Sequence, residues 1–115
     1  MRLGRPVGAH ERTLYGLAGV GDLIAATCAT SRSRNHAVGV RLARGEPLDA
    51  IVRSGVTAEG LGTVRSVTAY ADHAELRLPI AQATLFVTRG DRSAESALRD
   101  LLLGDPRNEW EDGSG

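Results

Sequence analysis

Lysine is missing from these 115 residues: all fourteen basic side chains are arginine. Arginine keeps its proton near neutral pH, so no lysine amine is present to act as a general acid or base. Cysteine is reduced to Cys28, which excludes an internal disulfide, and no acid–base pair is placed to activate it, so it reads as a small buried apolar residue. The only aromatic residues are Tyr15, Tyr70, Phe86 and Trp110. They are too few to stack bases, and they leave the core to Leu, Val, Ile and Ala. Fourteen acidic residues balance the fourteen basic ones, so no global field draws in nucleic acid or an anionic membrane. Neither a basic-then-apolar leader nor a long uncharged apolar run occurs, which makes the cytoplasm the expected compartment and a membrane partner unexpected. His10, His36 and His73 lack metal-ligand spacing, so no metal site is expected. No GxGxxG follows a strand, and without that dinucleotide fingerprint no cofactor domain is expected.

What the chain does have is concentrated between Gly16 and Asn35, in GLAGVGDLIAATCATSRSRN. Gly16, Gly19 and Gly21 let the backbone turn tightly or pack closely, and Asp22 follows at a helix start. Without other information, the three glycines read equally well as helix stops, and Asp22 as an acid favoured by the helix dipole. The stretch ends on Ser31, Arg32, Ser33, Arg34 and Asn35, two guanidinium groups among neutral hydrogen-bonding partners, which suits an anion. Arg32, Arg34, His36, Arg41 and Arg44 form a basic cluster, but zero net charge and no interleaved aromatics argue against nucleic acid.

The rest reads as all-α, a compact bundle of about six or seven short helices. Met1 to Ala9, with Leu3 and Val7 at helical spacing but Gly4, Pro6 and Gly8 between them, reads as the last turns of a helix truncated at its N-terminus. His10 to Leu17 predicts a helix with Leu14 and Leu17 on one side, and Asp22 to Cys28 the next. Ser33 to Arg44 follows, stopped by Gly45. Glu46-Pro47 opens a short helix that carries Leu48, Ile51 and Val52 inward until Gly55. Thr57 is the expected N-cap of the longest helix, running to about Glu75 with Leu61, Val64 and Val67 on one stripe, extended by Tyr70 or Ala71. Pro79 opens a helix through Thr88, and Asp91 or Ser93 caps a last one holding Leu98, Leu101 and Leu102. A single helical domain over residues 1–104 and a polar, frayed tail over 105–115 follow.

TLYGLAGVGDLIAATC, then SRN, a glycine-bounded short helix, an AEG triplet, a helix, LPI and a final ALRDLL fall in this order from Met1 to about Leu103. Together they resemble the C-terminal substrate domain of NAD(P)-dependent glycerol-3-phosphate dehydrogenase. The resemblance implies an all-helical domain that closes over a Rossmann-type nucleotide domain, the two reversibly reducing glycerone phosphate to sn-glycerol 3-phosphate, a glycerophospholipid precursor. It implies that Asp22 of GDL accepts from a polyol hydroxyl, that Ser33, Arg34 and Asn35 of SRN contact substrate, and that Arg34 also reaches the cofactor. Glu59 of the AEG triplet is implied on the nucleotide side, with Thr57 beside it where the family usually carries an aliphatic residue. The cofactor contacts follow only with a nucleotide domain present. The family's catalytic lysine has no counterpart here, so no catalytic residue is assigned, NAD(P) is not expected to bind tightly to this chain alone, and the isolated chain is expected to be inactive. Ala25-Ala26 also puts one residue more than the family spacing between Asp22 and SRN, a rotation of about 100° if the helix is continuous.

Three readings stand at this point: a substrate half completed by a separate Rossmann-domain chain, a stand-alone helical phosphate-ligand or protein-interaction module, and a truncated remnant without activity. Apolar surface left open by the interrupted first helix favours self-association.

Overall fold

In the computed structural model of the chain, residues 3–28 and 33–104 are described. Seven α-helices follow one another there, with no strand among the described residues: α1 Glu11–Tyr15, α2 Asp22–Cys28, α3 Arg34–Ala43, α4 Leu48–Arg53, α5 Glu59–His73, α6 Pro79–Arg89 and α7 Ala94–Leu103. The all-α bundle expected from the sequence is the observed architecture. The side chain of Cys28, residues Ser31 and Arg32, and the tail over 105–115 lie outside the described residues.

Local sequence accounts for most of the boundaries. Ser33 caps α3, its Oγ accepting the His36 N–H at 3.2 Å, and Ser93 caps α7 in the same way from the Ser96 N–H at 3.1 Å. Pro79 sits in the first turn of α6, where its missing N–H costs nothing. Gly45 at φ 85° and Gly55 at φ 84° take the left-handed turn that ends α3 and α4.

Several expectations are corrected. Residues 3–9 hold a 3₁₀ turn at Arg5–Val7 rather than α-helical turns, and Val7 is exposed. The helix expected from His10 to Leu17 stops at Tyr15, and Leu17, at 91% exposed, is no core residue. A π turn at Leu17–Gly21 takes its place. Thr57 does not cap α5: the cap position is Ala58, which makes no side-chain cap hydrogen bond. The same helix ends at His73, two residues early, because Glu75 takes φ 55° and Leu76 donates its N–H back to the Ala71 carbonyl at 2.8 Å. Val52 is exposed although its neighbour Ile51 is wholly buried, and α7 buries Ala97 while Leu98 and Leu102 face outward.

The core is a thin seam of Val38, Ile51, Val64, Ala71, Leu85 and Ala97, drawn from five helices. It forms where α3 packs on α4, α5 and α7, with α5 on α6 and α6 on α7. The hydroxyls of Thr68 and Thr88 are buried but donate to the carbonyls of Val64 at 2.7 Å and Leu85 at 2.9 Å, so neither is left unsatisfied. Helices α1 and α2 pack chiefly against the π turn between them.

Polar clamps fix two of the joints. At the end of α3, Arg41 grips Glu46 in a two-pronged pair, Nε to Oε2 at 2.6 Å and Nη2 to Oε1, while its Nη1 donates to Ser54 Oγ at 2.7 Å. Ser54 in turn donates to the Ile51 carbonyl at 2.6 Å, tying α3 to the end of α4. Between α6 and α7, Arg92 pairs with Asp100 and lies 5.8 Å from the Phe86 ring centroid.

The hydrogen bond from Arg41 holds the Glu46 carboxyl below the ordinary glutamate range, partly offset by desolvation, and the same bond raises Arg41. A depressed carboxyl contributes stability above its unfolded value, near 4.3. That contribution fades as pH falls through the lower folded value. The thermal midpoint is therefore expected to drop once the pH passes below about 4.3. Glu46→Gln should remove part of that acid sensitivity while starting from a lower midpoint at pH 7. Parallel midpoint–pH curves for the two proteins would contradict it.

Candidate functional site

The glycine cluster shapes the ground under Asp22. Gly21 donates its N–H to the Gly16 carbonyl at 3.1 Å across five residues, and Gly19 donates to the same oxygen at 3.2 Å. The Asp22 N–H turns back to the Gly19 and Leu17 carbonyls. A Cβ on Gly19 would collide with the Leu14 backbone, so this position takes glycine for close approach rather than as a helix stop. The N–H groups of Gly16, Gly19 and Gly21 are thus spent on carbonyls of the chain itself, that of Gly16 on Thr13. The cluster sets α2 leaving the turn with Asp22 in its first position.

Asp22, Ala25 and Ala26, spaced as one face of α2, form one side of a cleft of about 340 Å³. Ser33, Arg34 and Asn35, at the start of α3, and Glu59, the first residue of α5, complete it. Of the six positions expected at a site on substrate or nucleotide grounds, five line this cleft, Asp22, Ser33, Arg34, Asn35 and Glu59, and Thr57 lies outside the lining. Asp22 shares the cleft with Ser33, Arg34 and Asn35 across the Ala25-Ala26 pair. The two alanines leave the cleft room, a part that sequence reading did not assign to them.

Two cross-links join the helix starts. Arg34 Nη2 donates to Glu59 Oε1 at 3.3 Å, a pair whose side chains are 63% and 86% exposed. Asn35 Oδ1 accepts the Gly60 N–H at 3.1 Å. Of the basic cluster seen in the sequence, Arg34 and Arg41 are thus each paired with a carboxylate, which disperses it as a cationic patch.

The hydrogen-bonding inventory is asymmetric. Ser33 Oγ spends acceptor capacity on the His36 N–H and keeps its O–H to donate; Asn35 spends Oδ1 on Gly60 and keeps its amide hydrogens. Arg34 donates only, and just one bond goes to Glu59. Against these donors stands Asp22, an acceptor. A ligand carrying both anionic oxygens and hydroxyl groups matches that division.

The family model described as NAD-dependent glycerol-3-phosphate dehydrogenase C-terminus matches residues 1–99. The chain belongs to this family. Among curated relatives, glycerol-3-phosphate dehydrogenase [NAD(P)+] 2 of Sphingopyxis alaskensis is 44% identical over 102 residues, covering 88% of this chain and 30% of the relative. Glycerol-3-phosphate dehydrogenase [NAD(P)+] of Xanthomonas euvesicatoria is 38% identical over 111 residues, covering 96% and 32%. Glycerol-3-phosphate dehydrogenase [NAD(P)+] 2 of Mycobacterium tuberculosis is 42% identical over 104 residues, covering 90% and 30%. The chain therefore spans about a third of the length of the curated relatives it matches. No solved structure gives a significant match.

Among the described residues, no helix is long and apolar enough to cross a membrane, and no cluster of three or more His, Cys, Asp or Glu is placed to hold a metal ion.

Proposed function

We propose that the cleft between α2 and the starts of α3 and α5 binds sn-glycerol 3-phosphate or glycerone phosphate, as the substrate side of an NAD(P)-dependent glycerol-3-phosphate dehydrogenase. The observation that carries this reading is the division of the cleft into donors on Ser33, Arg34 and Asn35 and an acceptor on Asp22. Arg34 and the donors suit phosphate or carbonyl oxygens, and Asp22 suits a polyol hydroxyl. The family match supplies the substrate class.

The chain's own residues bind and orient. On this reading Arg34 and Glu59, which line the cleft, would face the nucleotide, and no step is assigned through a dinucleotide. NAD(P), a nucleotide-binding portion and a general acid/base are on this reading brought by another polypeptide segment, in one chain or two. The 115 residues purified by themselves are accordingly expected to oxidise no NADH with glycerone phosphate above background. Turnover that persists after rigorous exclusion of host enzyme would overturn this division of labour.

Binding is the direct test. Asp22 and Glu59 set two carboxylates against the one guanidinium of Arg34, and water has access, so affinity for a phosphorylated triol should be weak. A dissociation constant of about a millimolar, or ~4 kcal/mol, is expected. A chemical-shift titration with glycerol 3-phosphate should move Asp22 and residues 33–35, and plain glycerol at equal concentration should not. Equal responses to both would overturn the phosphate reading.

A further inference from the structure

Helix α5 starts without a cap of its own. Ala58 carries no side-chain acceptor, and the first N–H groups of any helix lack intrahelical partners. One of them, on Gly60, is taken by the side chain of Asn35 from the neighbouring helix start, at 3.1 Å. The approach is close: a Cβ at position 60 would lie 2.8 Å from Asn35 Oδ1, 3.2 Å from its Cγ and 3.4 Å from its Nδ2, so a side chain there would push the Asn35 carboxamide aside. Two residues further along the same helix a Cβ on Gly62 would meet nothing within 4 Å, so close approach is not a general need of α5.

We propose that Gly60 is a positioning residue for the ligand cleft, its N–H and its missing side chain together fixing the Asn35 carboxamide so that the amide nitrogen is left to donate to a ligand oxygen. The inference rests on the phosphorylated-polyol reading of the cleft. The carboxamide has one acceptor and one donor end, and a free amide could present either. Committing Oδ1 to Gly60 turns the acceptor end toward α5 and leaves the amide hydrogens for a ligand with an oxygen acceptor at that place. The same bond completes the start of α5, so the order of the cleft and the order of the helix depend on one contact.

The experiment compares Gly60→Ala, Gly62→Ala and Asn35→Asp in the full chain, with glycerol 3-phosphate as the probe and three readouts: the side-chain amide resonances of Asn35, the dissociation constant and the thermal unfolding curve. Alanine favours helices, so Gly60→Ala should still unfold cooperatively, yet it should shift the Asn35 amide pair and weaken binding about five-fold. Gly62→Ala should leave both the amide pair and the affinity unchanged. Asn35→Asp keeps an acceptor for the Gly60 N–H but loses the donor, so it should retain the wild-type unfolding midpoint and lose roughly ten-fold or more in affinity. Wild-type affinity in Gly60→Ala overturns the proposal, whether or not the Asn35 resonances move. Wild-type affinity in Asn35→Asp overturns it as well. No binding of glycerol 3-phosphate by the unmutated chain overturns the functional reading itself, and the positioning role falls with it, a result distinct from a bound ligand indifferent to position 60.

Discussion

Ile51→Ala is expected to lower folding stability by about 2–5 kcal/mol, enough to leave much of the chain unfolded at 37 °C if the total is near the low end of the usual 5–15. Ile51 has no solvent exposure and is, among the described residues, the largest side chain buried to that degree. Two of the six apolar core residues, Ala71 and Ala97, are already alanine, so the seam has little bulk from which to close a new cavity. The position also carries a second link, because its carbonyl accepts from Ser54, the residue that Arg41 holds from α3. The truncation leaves that backbone bond in place, which keeps the loss attributable to packing. Val52→Ala is the matched control: one residue along the same helix but 47% exposed, it should change stability by about 0.5 kcal/mol or less. Urea denaturation gives both numbers, read as shifts in midpoint at constant slope. Similar midpoints for the two variants would mean that α4 is not seated on the core as the structure has it.

That contrast between neighbours also marks how far the fold was legible. Helix ends written in local chemistry were readable: the start of α3 at Ser33, the cap of α7 at one of two offered positions, Ser93, Pro79 at the head of α6 and the glycine after α3 all act within a few residues of where they stand. On α5, a helix long enough for its period to show, the expected stripe of Leu61, Val64 and Val67 extended by Tyr70 or Ala71 includes the buried Val64 and Ala71, while Tyr70 is exposed and the buried Thr68 was not on it. In the short helices apolar spacing failed. Leu17, Val52 and Leu102 lie at plausible spacings, but spacing tells which residues share a face, not whether another element covers that face. Thr57 failed for a different reason: a good capping residue sits one position too early, and a side chain from 25 residues away contributes the acceptor instead. The π turn was unreadable because three glycines serve a helix stop and a close backbone approach equally well.

The candidate site was legible at the level of membership. Asp22 and the SRN residues stand on two different helix starts, yet they line one cleft with Glu59. What residue types could not convey is how the groups are already engaged. The Arg34–Glu59 pair, the Asn35–Gly60 bond and the Arg41–Glu46 clamp each join positions with no helical i,i+4 relation, and each depends on how α3 sits against its neighbours. These engagements decide which hydrogen-bonding capacity is left for a ligand.

Arg34→Ala is expected to abolish phosphate-dependent binding. The guanidinium offers five N–H donors and a fixed charge, and the ion pair that engages it is exposed on both sides. Exposed pairs of this kind contribute about 0–1 kcal/mol, so an incoming phosphate displaces Glu59 at small cost and gains a charge-assisted contact in return. Removing Arg34 leaves Asp22 and Glu59 as the charged groups of the cleft, both repelling a phosphate. An affinity that begins near a millimolar should then fall by roughly ten-fold or more, beyond the range of a practical titration. Arg34→Lys keeps the charge without the planar fork and should retain only part of the affinity. Glu59→Gln should act in the opposite direction, releasing Arg34 and removing one repelling charge, and should tighten binding about two- to five-fold at low salt, less at physiological ionic strength where screening reaches about 8 Å. Chemical-shift titration with glycerol 3-phosphate measures the whole series. Shifts spread over Arg41, Arg44 and Arg53, or a response that survives Arg34→Ala, would mean that phosphate meets arginine at large on this surface and that the SRN residues hold no ligand.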